Sequence, residues 1–120
     1  MFFDGGCRPN PGRIEAAVVV RGAVYLYDDL GTGTNSDAEW VALIRALELS
    51  QSLDLSEVEL VGDALEVIRQ ANQALKNARA RPGHAATFLA LAGKGPPVKI
   101  RWIKREQNLA GIALAARHPR

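Results

Sequence analysis

Only one cysteine, Cys7, occurs among the 120 residues, so no internal disulfide can form and a reducing compartment is expected. No basic histidine partner lies near it in sequence, and it reads as a small turn residue rather than a nucleophile. Apolar runs are short: the longest, such as residues 16–20, are far below bilayer-spanning length. No basic stretch precedes an apolar core at the N-terminus, so no signal peptide and no membrane partner are expected, and the chain reads as cytoplasmic. Hydrophobic content of 48% and charged content of 23% are ordinary for a globular protein. At this length, residues 1–120 are expected to form a single domain, and a monomer is expected.

Acidic residues are missing from a long stretch. Between Val67 and Arg105 there are nine Lys or Arg residues and no Asp or Glu. The net charge of +2 therefore hides a segregation: residues 1–66 carry twelve acids and four bases (−8), and residues 67–120 carry eleven bases and one acid (+10). A solvated basic surface is one reading of this, and a polyanion partner is the other.

Residues 14–20 and 23–29, rich in Val and Tyr, read as strands around Arg21-Gly22, a hairpin turn, after a short first strand closed by Asp4 and a turn region over 5–12. A Gly/Thr loop over 31–35 leads into a helix whose Trp40, Leu43, Ile44 and Leu47 follow helical spacing. Residues 55–61 read as a strand, 64–73 and 85–92 as helices, 98–103 as a strand and 108–117 as a last helix. Trp40 and Trp102 fit core positions, and His84, after Pro82-Gly83, is expected to be exposed. The order is β-β-β-α-β-α-α-β-α, an α/β fold: a mixed five-stranded sheet, an antiparallel meander plus parallel strands, flanked by helices.

Three carboxylates fall near element boundaries: Asp4, Glu39 and Asp63. Each has a simple local role available: an Asx-turn for Asp4, a capping box over Ser36-Asp37-Ala38-Glu39, an N-cap for Asp63. If they instead converge, mutual repulsion calls for a divalent cation. Their flanks favour convergence. Phe3-Asp4-Gly5-Gly6 ending in Asn10-Pro11-Gly12, Thr34-Asn35-Ser36-Asp37-Ala38-Glu39, Val61-Gly62-Asp63 and Asn108-Leu109-Ala110-Gly111-Ile112 resemble, in order, the motifs of the type 1 ribonuclease H family.

The resemblance implies a metal-dependent endonuclease that hydrolyses the RNA strand of an RNA–DNA hybrid. Asp4, Glu39 and Asp63 would hold two Mg²⁺ or Mn²⁺ ions, with Asp4 bridging them, one ion activating water and the other stabilising the leaving oxygen. The backbone of the turn, including Gly5 and Cys7, together with Asn10 and Asn35, would read 2′-OH groups in the minor groove. Thr34 would meet a DNA phosphate, Arg69 the RNA backbone, and the basic stretch over 76–81 the duplex.

Two departures stand out. Ile112 occupies the position of the family's fourth acid, which weakens the expected catalysis, with Glu106 the nearest possible substitute. The family's His-bearing loop before the last helix is missing: His84 and His118 do not replace it by position. The alternatives are a hybrid-binding module that has lost the chemistry, or another nuclease of the same fold.

Overall fold

The computed structural model describes residues 1–118. Strands β1 (Phe2–Arg8), β2 (Gly12–Val20) and β3 (Ala23–Tyr27) form the antiparallel meander, and β4 is a two-residue strand, Thr32–Gly33, paired with β2. Helix α1 (Asn35–Ser52) leads to β5 (Val58–Gly62). Helices α2 (Leu65–Asn77) and α3 (His84–Ala92) precede β6 (Val98–Trp102), and a 3₁₀ turn, Arg105–Gln107, precedes α4 (Leu109–Ala116). The strand order is β3-β2-β1-β5-β6, with β1–β5 and β5–β6 parallel. The mixed sheet expected from the sequence is present, with β4 as a sixth strand where a plain loop was expected.

The hairpin between β2 and β3 turns on Arg21 and Gly22, both at positive φ (51° and 79°), the geometry that matches strand twist. β1 does not stop at Asp4. It pairs with β2 through Gly5, Gly6, Cys7 and Arg8, so Asp4 lies mid-strand and Cys7 is a buried strand residue, not part of a turn. Glycine permits this continuation. A Cβ on Gly5 would stand 2.1 Å from the Ala38 carbonyl oxygen, so only glycine lets α1 cross β1 this closely.

The sheet separates two apolar layers. Phe3, Ala16, Val18, Leu60 and Ile100 face α1, α2 and α3, where Leu43, Leu47, Ile68 and Phe88 complete the larger core. Ala17 and Val19 face α4 through Ala110 and Leu114. The alternation along β2 sends successive side chains to opposite layers, as a strand covered on both faces requires. α4 therefore lies across the middle of β1, beside Asp4. Trp40 is core as expected, but Trp102 is not: on the edge strand β6 it keeps 43% of its surface exposed. His84 is half-buried, its ring stacked on Trp40 at 6.3 Å and its Nε2 3.0 Å from Asp37 Oδ1.

Candidate active site

Asp4, Glu39 and Asp63 meet. One carboxylate oxygen from each lies within 4.8 Å of those of the other two. The fold supplies them from three directions: Asp4 from the middle of the central strand, Glu39 from the second turn of α1, Asp63 from the link between β5 and α2. They line an open groove of about 580 Å³, whose wall also includes Asn35, Arg105, Glu106 and Ile112.

None of the three caps a helix. The capping box at the start of α1 is formed by Thr34 and Asp37, whose side chains bond each other's backbone N–H at 3.1 and 2.9 Å, which replaces the expected Ser36–Glu39 box. With the helix end satisfied, Glu39 Oε1 accepts the Gly5 N–H at 2.6 Å. The N-cap of α2 is Ala64, without a side-chain bond, so Asp63 is likewise released from capping.

Asn108 holds Asp63, a role the sequence reading left unassigned. Fully buried at the N-cap of α4, it donates from Nδ2 to Asp63 Oδ2 (2.9 Å) and to the Phe3 carbonyl (3.0 Å), while its Oδ1 accepts the Ala110 N–H. One carboxamide thus ties together β1, the Asp63 link and α4. An Asn opening the last helix was the available signal; its burial and its partners, 45 and 105 residues away, were not.

The cluster concentrates negative charge. Burial, then the nearby charge of Asp63, raises Asp4 from 3.8 to about 6. Burial, then Asp4, raises Glu39 from 4.5 to about 9. Both arise because carboxylate charge is gathered where water cannot fully solvate it. The donors are hard oxygens alone, the set that suits Mg²⁺ or Mn²⁺, and positive charge would relieve the repulsion. The residues therefore fit a divalent-cation site.

The other predicted site residues divide. Asn35 Oδ1 accepts the Cys7 N–H at 3.2 Å, and Asn10 Oδ1 accepts the Asn35 N–H at 3.1 Å, locking the β1–β2 turn to the start of α1. The N–H groups of Gly5 and Cys7 are thus committed within the protein. The Thr34 hydroxyl is committed to Asp37. Arg69 is exposed on α2, 4.0 Å from Glu66, and is not part of the groove wall. Glu106 lines the groove but lies outside the carboxylate cluster. Ile112 is 54% exposed on the same wall. His118, at the end of α4, sits 2.6 Å from Glu15.

A family model described as reverse transcriptase-like matches residues 2–118. A curated ribonuclease HI of Halobacterium salinarum is 35% identical over 58% of this chain and 37% of its own length. A curated ribonuclease H of Methylorubrum extorquens is 31% identical over 92% of this chain and 46% of its own. The chain thus spans less than half the length of either. A solved ribonuclease H1 isolated from compost by a metagenomic approach, in complex with an RNA/DNA hybrid, superposes with a TM-score of 0.72. Its identity is 27%, over 94% of this chain and 90% of that one.

Proposed function

Because the chain belongs to the type 1 ribonuclease H family, we propose that it cleaves the RNA strand of RNA–DNA hybrids with divalent cations held by Asp4, Glu39 and Asp63. The observation that carries this reading is the convergence of these three carboxylates on the floor of one open groove. Cations bound there, two in this reading and Mg²⁺ or Mn²⁺ by the oxygen donor set, supply activation of water and neutralisation of charge at the phosphate.

The protein's own contribution is positioning. The Gly5 N–H holds Glu39, Asn108 holds Asp63, and the sheet holds Asp4 between them. Asn10 and Asn35 use their side-chain oxygens internally, which leaves their amide N–H₂ groups as the donors for ribose 2′-OH groups. Arg105 lines the groove and draws the phosphate backbone toward the acids. Arg69, Arg79 and Arg81 extend the cationic surface along α2 and the segment after it.

The groove wall itself favours a second reading. Ile112 supplies no oxygen where the family places its fourth acid, and Glu106 does not enter the cluster. Catalysis is therefore slow in the first reading, and lost in a second in which the domain only binds hybrid. A labelled hybrid incubated with Mg²⁺ or Mn²⁺, beside single-stranded and double-stranded RNA, separates the two. Cleavage of hybrid alone, abolished in Asp4→Asn, supports the nuclease; salt-sensitive binding with no product under either metal supports the binding module. Cleavage that survives Asp4→Asn would show the site to be misassigned.

A further inference from the structure

We propose that Trp102 is a substrate contact, its exposed indole packing against ribose faces of the strand held beside Asp63. This deepens the hybrid-nuclease reading and rests on it.

A tryptophan gains much by burial, and Trp40, at 5% exposure, behaves accordingly. Trp102 remains 43% exposed, yet it is not loosely placed. Its register partner is Gly62, the residue immediately before Asp63, and its Nε1 donates to the Asp63 carbonyl oxygen at 3.1 Å. This bond turns the polar edge of the ring inward and leaves apolar ring surface outward. Among the described residues β6 is the last strand on its side of the sheet, and none covers it. Leu65, two residues beyond Asp63, is also 44% exposed.

The surroundings identify the ligand chemistry. Lys104 and Arg105 lie two and three residues after Trp102, and Arg105 lines the carboxylate groove; Trp102 stands outside the groove wall, beside it through its bond to the Asp63 backbone, where a polyanion extending beyond the acids would meet the indole. In a duplex the base faces are closed by stacking, whereas the sugars face outward. The ribose C–H surface is then what a rigid, apolar ring can meet. Such a contact is uncharged, so it contributes affinity without releasing counterions.

The test is binding of a short hybrid to the intact protein with cleavage blocked by Asp4→Asn, read by tryptophan emission and by affinity across a salt series. Hybrid is expected to shift the emission of the protein that retains Trp102, with little change in Trp102→Leu, because Trp40 is buried. Trp102→Ala is expected to weaken binding about three- to tenfold with an unchanged slope of log affinity on log salt. Trp102→Phe should restore most of that affinity. Tight binding with no emission change and undiminished affinity in Trp102→Ala would overturn the proposal. So would equal loss of kcat, with binding intact, in Phe and Ala variants tested with Asp4 present, since the indole would then act only through its bond to Asp63. Absence of any hybrid binding by the parent protein would instead sink the functional reading beneath it.

Discussion

At the scale of single residues, the site is built from carboxylates that repel one another. Raised values for Asp4 and Glu39 mean that the folded state binds more protons than the unfolded chain from about pH 4 upward, to about 6 for Asp4 and about 9 for Glu39. Stability in a chelator should therefore fall as pH rises through that window, and be greater near pH 5 than near pH 8. Asp4→Asn removes part of the repulsion. In chelator near pH 8 its melting temperature should rise by about 3–5 °C, roughly 1 kcal/mol or more, and with Mg²⁺ present it should no longer cleave hybrid. Added Mg²⁺ should stabilise the parent protein more than this variant. A lower melting temperature for Asp4→Asn in chelator would contradict the electrostatic account. Ile112 allows the opposite experiment. It is exposed on the groove wall, so Ile112→Asp should cost little stability and raise kcat about tenfold in Mg²⁺, with hybrid affinity nearly unchanged. An unchanged kcat would remove Ile112 as the cause of weak catalysis.

At the scale of elements, contacts between distant segments keep the acids together. Asn108 bonds Phe3 and Asp63 from the start of α4. Asn108→Ala would remove the donor to the buried Phe3 carbonyl and to Asp63, cost about 1–3 kcal/mol in denaturant unfolding, and lower kcat as Asp63 loses its support. On the other face, α3 is fastened to α1 by Phe88, fully buried and tilted against Trp40 at 6.2 Å. Phe88→Ala should destabilise by about 3–5 kcal/mol through the cavity left behind, measurable by urea unfolding. Helix periodicity made α1 legible from Trp40, Leu43 and Leu47. It could not show that Thr34 and Asp37 take over the capping box, because Ser36–Glu39 has the same spacing and only the register of α1 on β1 separates the two. β1 was read too short for a related reason. Gly5 and Gly6 look like a turn in isolation, whereas pairing with Ala16 and Glu15 makes them strand.

At the scale of the whole molecule, charge is divided between an acidic first half and a basic second half, and the fold joins them at the groove, where Arg105 meets the three acids. Hybrid binding should weaken steeply with salt. Arg105→Ala should reduce the slope by about one counterion, and Arg79→Ala and Arg81→Ala should each do the same. A slope unchanged in all three variants would mean that the basic segment is a solvated surface only. Within the described residues no helix is long and apolar enough to cross a membrane.

Periodicity and turn chemistry, local properties of neighbouring residues, were enough to give the mixed sheet and the strand and helix order apart from β4, whereas the three acids stood out through the resemblance of their flanking motifs to a known family. Tertiary structure decided the rest. Asn108 on Asp63, the exposure of Trp102, the stacking of His84 on Trp40 and the separation of Glu106 from the cluster depend on which elements come to lie side by side. Such neighbours are set by long-range packing across the sheet, and a linear pattern carries no record of distances between segments that meet only after the core has closed.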